Sequence, residues 1–385
     1  MLENVGHSAL YIHVPFCVRK CRYCDFVSYP YNESNARLYV TGLRREMELR
    51  LGDKHEKRWP LSTVFIGGGT PTCLSTKLLL EIITLIKGYY NLSSDVEFTI
   101  EANPGTVDAG KLSSLRLAGV NRLSLGAQAC SEATLRTLGR IHTHEQTVSA
   151  VWQAREAGFD NINLDLIFEV PGQTLTEWER CLEQVIDLAP EHVSAYGLQL
   201  EEGTLLKEQV DSGLLQPCEE EDGINMYQAA INILQSAGLE QYEISNFARL
   251  NKQCRHNLVY WQNEDYLGLG PAAHSRLRRV RMSNETNLTD YTTRLNAGML
   301  PVAWSEDITQ ENDIFETIFL GLRMTGGLDL ERFKQRFGRS LNEIYPGLVE
   351  SLVNKGQLKL RGNHLCLTPA GMLLANAVMC EFAPV

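Results

Sequence analysis

The stretch "HVPFCVRKCRYCDF", residues 13–26, sets Cys17, Cys21 and Cys24 at Cys-x3-Cys-x2-Cys spacing. Three thiols so placed suit a disulfide staple, part of a zinc site, or a centre that takes three sulfurs. Structural zinc needs four ligands in a closed tetrahedron. No second cysteine pair follows, and His13 alternates along an apolar run, so it serves equally well as a core residue. The N-terminal "MLENVGHSALYIHVPF" lacks a basic segment followed by an apolar one, so no secretory leader is expected. That weakens the disulfide reading, and Cys73, Cys130, Cys181, Cys218, Cys254, Cys366 and Cys380 have no partner spacing and read as buried thiols or bystanders. An iron–sulfur cube normally takes four thiolates. With three, one iron stays open to a ligand from outside the protein, which is an arrangement for chemistry.

A chelating ligand would then need a pocket beside the thiols. "FIGGGTPT" offers Gly68, Gly69 and Thr70 just after an apolar strand, where backbone N–H groups can approach a small polar ligand closely. Glu101 in "IEANP", Gln128 in "LGAQ" and Asp165 in "INLDLIFEV" fall at or near the ends of three further strand-like runs.

Those runs are "SALYIHV", "TVFIGGG", "VEFTIEAN", "RLSLGAQ", "INLDLIFEV" and "HVSAYGLQL", separated by amphipathic stretches such as "ARLYVTGLRREMELRL". Strand and helix in alternation predict an α/β fold with a parallel sheet. Both an open doubly wound sheet and a partial barrel fit, and in either the polar strand ends form the rim where sites gather. We expect a partial (β/α)6, TIM-like barrel over residues 1–205 and a mixed extension over 206–300. The segment 301–385 reads helix, helix, helix, hairpin, with "GN" as the turn, and predicts a winged-helix-like module.

The chain has 385 residues and a formal net charge of -11, which disfavours a broad phosphate-binding surface, so nucleic acid is not expected as a partner. No apolar run approaches the ~20 residues of a spanning helix. A reducing cytoplasmic setting suits the cysteine usage.

"YIHVPFCVRKCRYC" followed by "GGGTPT" resembles the radical S-adenosylmethionine (SAM) proteins. "IEANP", "LGAQ", "LGRIHT", "DLIFEVPGQT" and "HNLVYW" extend the likeness over most of the chain, toward the branch of oxygen-independent coproporphyrinogen III oxidases and the heme chaperones related to them. The resemblance implies a 4Fe-4S cluster on Cys17, Cys21 and Cys24, with the methionine end of SAM on the open iron. It assigns SAM contacts to Tyr11, Gly68, Gly69, Thr70, Glu101, Gln128, Arg140 and Asp165. In such proteins one electron from the reduced cluster cleaves SAM to methionine and a deoxyadenosyl radical.

Two departures bear on the branch. Decarboxylating oxidases carry a further cysteine two residues after the third, where this chain has Phe26, and a long extension before the cluster, where sixteen residues precede Cys17 here. The likeness therefore points to the heme-chaperone type, with oxidative decarboxylation of coproporphyrinogen III to protoporphyrinogen IX as the alternative. "RHNLVYWQN" then implies a heme site of His256, Asn257, Tyr260 and Trp261, with the imidazole suited to iron. The partners implied are heme, apo-haemoproteins such as respiratory enzymes, a flavodoxin- or ferredoxin-type electron donor where SAM is cleaved, and a second copy in a homodimer. Membrane-bound recipients imply contact at the inner face of the membrane.

Overall fold

The computed structural model describes residues 8–52 and 60–384. The N-terminal segment read for a leader therefore lies partly outside the described residues. Six strands run parallel in sequential order: β1 (Ser8–Val14), β2 (Pro60–Gly68), β3 (Asn91–Ala102), β4 (Arg122–Gln128), β5 (Ile162–Phe168) and β6 (His192–Gly197). A doubly wound sheet would place a later strand outside the first. Sequential order is that of a barrel, left open here, and it resolves the two architectures that the sequence allows.

Between the strands lie α1 (Glu33–Leu51), α2 (Thr76–Tyr89), α3 (Ala109–Leu117), α4 (Glu132–Leu138), α5 (His144–Glu156) and α6 (Leu175–Asp187). Each begins behind a residue whose side chain accepts from the first turn: Asn32, Ser75, Asp108, Ser131, Thr143 and Thr174. Such caps satisfy N–H groups that have no partner inside the helix. Alternate strand residues, among them Leu10, Ile12, Val64, Ile66, Phe98, Ile100, Leu123, Leu125, Leu164 and Val193, are buried in one core with the helices. Each such side chain contributes about 1.5–3 kcal/mol on full burial.

The residues in the other register are polar and bond to one another across the second face. Ser124 and Asn163 donate to Asp165 at 2.9 and 2.8 Å, and His192 meets the Asn163 carbonyl oxygen at 2.6 Å. A face built this way is an interior lined for polar contact.

The extension widens this sheet at both edges. α7 (Leu205–Asp211) and α8 (Glu220–Ser236) lead to β7 (Glu240–Gln241) and β8 (Asn246–Ala248), and β8 pairs antiparallel with β6. After α9 (Arg255–Trp261), β9 (Tyr266–Leu269) pairs parallel with β1 and continues into β10 (His274–Leu277) and β11 (Val280–Asn284). α10 (Leu288–Asn296) and β12 (Val302–Asp307) follow, making a twelve-stranded sheet. The sequence reading gives six strands because the added ones are short and lack sustained alternation.

The last segment has its own core around Ile318, Leu322, Phe333, Leu352, Leu365 and Phe382. α11 (Gln310–Arg323), α12 (Leu330–Phe337), α13 (Leu341–Ile344) and α14 (Leu348–Asn354) pack on three strands, β13 (Leu328–Asp329), β14 (Leu358–Arg361) and β15 (His364–Leu367). Gly362 takes φ 58° at the first turn position of the predicted hairpin, which suits a glycine-led two-residue turn.

Candidate functional site

A cavity of about 420 Å3 opens at the C-terminal ends of the parallel strands. Cys17, Cys21 and Cys24 line it together with Gly68, Gly69, Thr70, Glu101, Gln128, Arg140 and Asp165. Residues from six different loops and strand ends thus converge on one space. Tyr11 is not among them. It lies deeper in the interior, its ring 6.0 Å from that of His13, 6.2 Å from Phe65 and 6.4 Å from His256.

The glycines are required by the protein before any ligand arrives. A Cβ on Gly67 would lie 2.9 Å from the Glu101 carboxylate, one on Gly68 2.7 Å from the His13 ring, and one on Gly69 2.6 Å from the Phe16 carbonyl oxygen. Gly68 also takes φ 109°, a region closed to most side chains. In return its N–H donates to Glu101 at 3.0 Å, fixing one carboxylate oxygen and leaving the other to the cavity.

Burial and the neighbouring Asp165 push the Glu101 carboxyl up to about 8. Burial also raises Asp165, against the opposing effect of the bonds it accepts from Asn163 and Ser124. Burial disfavours the charged form of both carboxyls, and a cationic group such as an amine would offset that cost.

The thiol wall is tied to this floor. Cys17 Sγ is 3.5 Å from Thr70 Oγ1, which accepts from Asn103 Nδ2 at 2.8 Å. Asn103 Oδ1 accepts from Arg140 at 2.5 Å, and the same guanidinium reaches Cys21 Sγ at 3.4 Å. Asn103, a polar residue at the end of the "IEANP" strand, lines the cavity as well, and so do Tyr23 and Tyr196, which were not assigned from sequence. The "IEANP" motif carried the signal for Asn103, two residues past Glu101. Phe26 stands 59% exposed at the cavity wall, so the position of the missing cysteine is apolar.

These residues fit the cluster and SAM. Burial pushes the Cys24 thiol up to about 11 and raises Cys17, so a free thiolate is disfavoured there and a soft cation would take the place of the proton. Among the described residues no three His, Cys, Asp or Glu converge on a single ion. Cys17, Cys21 and Cys24 would hold the cluster, while Gly68, Gly69, Thr70, Glu101, Gln128 and Asp165, which line the same cavity, would face SAM. Bound there, the pair supplies one-electron reductive chemistry. The chain would position the ligands and holds Glu101 against the backbone.

The "HNLVYW" residues lie elsewhere. They form α9, whose first turn is capped by a carboxylate from β3: Glu97 accepts from the N–H groups of Arg255 and His256 at 2.9 and 3.0 Å. His256 is buried, with Nδ1 2.9 Å from Thr63 Oγ1 and Nε2 2.9 Å from the Tyr260 hydroxyl. Burial and the Arg122 charge push its imidazole down to about 3, so it is neutral. Helical spacing splits the motif, because residues four apart share a face. His256 and Tyr260 turn toward the sheet interior. Trp261 instead lines a 180 Å3 cleft with Met324, Phe333, Arg336 and His364 of the C-terminal segment, under the Arg323 guanidinium at 4.8 Å. Cys254, which caps α9 in sequence, is buried, and its thiol is pushed up to about 12 by that burial, which makes it unreactive.

Comparison with known proteins follows this geometry. A model of the Radical SAM superfamily matches residues 11–185 and one of the HemN C-terminal domain matches residues 308–374. The heme chaperone HemW of Bacillus subtilis is 38% identical over 97% of this chain and 98% of its own length. The heme chaperone HemW of Escherichia coli is 33% identical over 96% of this chain and 97% of its own. The solved structure of coproporphyrinogen III oxidase (HemN) from Escherichia coli superposes with a TM-score of 0.85 over 98% of this chain and 90% of that one. At 22% identity that likeness speaks for the fold. Thiol spacing, strand-end cavity, C-terminal module and near full-length similarity agree: the chain belongs to the radical SAM superfamily and, within it, to the family of the heme chaperone HemW.

Proposed function

We propose that this protein binds heme and delivers it to apo-haemoproteins, respiratory enzymes among them, while carrying a 4Fe-4S cluster and SAM. Near full-length similarity to heme chaperones supports the reading, and one observation carries it to a site. The Trp261 indole N–H is buried without a hydrogen-bond partner, at a cleft that also presents Arg332, Arg336 and His364. An indole with the Arg323 guanidinium over its ring and Arg332 and Arg336 beside it suits an iron porphyrin with two carboxylates. Heme would enter across the Trp261 and Asn257 side of α9. Ligation by His256 requires the Tyr260 hydroxyl to release Nε2, so the iron-binding form of α9 differs from the closed one.

Coproporphyrinogen oxidation is disfavoured by Phe26 at the position of the additional cysteine. Dimer formation and contact with a membrane surface belong to the same proposal; no helix among the described residues is long and apolar enough to cross a membrane. The test is an anaerobic hemin titration of cluster-loaded protein, followed by Soret absorbance, then transfer to an apo-haemoprotein. Saturable binding weakened by Trp261→Ala supports the reading. Unsaturable binding, or product from coproporphyrinogen III with SAM and reductant, overturns it.

A further inference from the structure

Cys130 and Cys181 are 51 residues apart in sequence, yet their sulfurs lie 2.6 Å from each other. Cys130 follows β4, and Cys181 projects from the middle of α6 against it. The contact is closer than two unbonded sulfurs normally make, and a disulfide needs about 2.05 Å. A shift of roughly half an ångström would join them.

The two thiols differ in the way a reactive pair must. Cys181 is buried, 3% exposed, and its S–H donates to Cys130. Cys130 is the more exposed of the two, its sulfur 3.5 Å from the Cys181 carbonyl oxygen. The His144 ring lies beside the Cys130 sulfur, with Nδ1 buried and making no well-formed hydrogen bond. Glu132 and Glu145 favour the charged form of that imidazole, and Glu177 lies near Cys181. The Cys181 donor and His144 together hold the Cys130 thiol below the ordinary range. A partly exposed thiolate beside a resolving thiol is the arrangement of redox-active dithiols.

We propose that Cys130 and Cys181 form a redox-active dithiol, distinct from the cluster cysteines, that takes a small disulfide as its oxidant. The Cys130 thiolate attacks one sulfur of that disulfide, forming a mixed disulfide and expelling a thiolate, which takes the proton from His144. The Cys181 sulfur then attacks Cys130, forming the internal bond. The second small thiol leaves with the Cys181 proton. Two protein thiols are oxidised and one small disulfide is reduced to two thiols. The internal bond would tether to α6 the segment between Gln128, at the SAM space, and Arg140, at the Cys21 sulfur.

The proposal is independent of heme binding, and so is its test. Cluster-loaded protein is incubated anaerobically with bis(2-hydroxyethyl) disulfide, quenched in acid, alkylated and mapped by peptide mass spectrometry. A Cys130–Cys181 linked peptide that dithiothreitol reverses is expected, with Cys380 less modified. Cys181→Ser should stop at a mixed disulfide on Cys130, and His144→Ala should slow its formation roughly tenfold at neutral pH. Recovery of both thiols fully alkylated while exposed Cys380 carries the adduct overturns the proposal. So does a Cys181→Ser variant in which Cys130 stays unmodified.

Discussion

Arg140 reaches the sulfur of Cys21 from one nitrogen at 3.4 Å, and from the other it donates to Asn103 at 2.5 Å and to the Gly126 carbonyl at 2.7 Å. Asn103 continues to Thr70, and Thr70 to Cys17. Cys17 and Cys21, two of the three cysteines that would hold the cluster, are therefore joined by an unbroken chain of polar contacts that crosses the floor of the cavity. The planar fork of the guanidinium suits this bridging role, which a lysine ammonium would not fill.

Replacing Arg140 by Met should remove a positive charge from beside the cluster without touching a thiolate. Iron content after anaerobic reconstitution should hold, while the midpoint potential falls. A contact to a charged group worth about 1.5–3 kcal/mol corresponds to a shift of roughly 60–130 mV for one electron. Redox titration followed by electron paramagnetic resonance checks this, and an unchanged potential would remove Arg140 from the cluster's surroundings.

Gly126 has no room for a side chain. A Cβ there would lie 2.8 Å from both Asn103 Oδ1 and Gln128 Nε2, and 3.2 Å from Arg140. Gly126→Ala should displace that network, costing about 1–3 kcal/mol in stability and roughly tenfold or more in SAM affinity. Calorimetric titration of cluster-loaded protein measures the second effect; affinity equal to the parent's would show that the network does not shape the SAM space.

Glu101 gives a pH signature whose sign can be worked out. Its carboxyl is pushed to about 8 in the folded protein, so it is mostly neutral at pH 7. The stability it contributes is complete below its unfolded value of about 4.3 and is lost as the pH rises toward 8. A cationic ligand prefers the carboxylate, so SAM affinity should rise with pH by up to about tenfold per unit and level off above 8. Glu101→Gln should flatten that profile. A profile of equal slope in the variant would assign the titration to another group.

What the sequence made legible was local. Six apolar strands, the Cys-x3-Cys-x2-Cys loop, the glycines after β2 and the Gly362 turn are written in adjacent residues. The strand-end cavity followed, because a parallel sheet must gather those ends at one rim. What stayed hidden depends on distant partners. Glu97 caps α9 across 159 residues, and nothing near "HNLVYW" announces that His256 will be enclosed. Cys130 and Cys181 read as bystanders because no spacing rule links the end of a strand to the middle of a helix four elements later. Tyr11 was placed at the cofactor by resemblance, yet its strand position turns it into the interior, one layer below the rim.

The capping of α9 by Glu97 should be felt in stability. The carboxylate also faces the Arg122 charge, which is buried in the same interior. Glu97→Ala leaves two N–H groups without their acceptor and removes a negative charge near Arg122, at a cost of about 1–3 kcal/mol in urea unfolding. Glu97→Gln keeps an acceptor and should cost less. A loss under about 1 kcal/mol for the alanine variant would mean that α9 is held mainly by packing.

The split of the motif makes Tyr260 the group that keeps His256 from iron. In the closed helix its hydroxyl occupies Nε2 at 2.9 Å, and Thr63 occupies Nδ1 at the same distance. Tyr260→Phe removes the competitor while keeping the ring that packs edge-on against Tyr266 at 4.7 Å. The buried Nε2 then lacks a partner, which costs the closed form about 1–3 kcal/mol and favours any form in which iron satisfies it. Stopped-flow absorbance should show hemin binding accelerated by roughly five- to a hundredfold in Tyr260→Phe. His256→Ala should abolish the gain and alter the Soret band in either background. If Tyr260→Phe binds hemin no faster and His256→Ala leaves the spectrum unchanged, His256 is a structural residue of the barrel floor and the iron finds its ligand in the cleft beside Trp261.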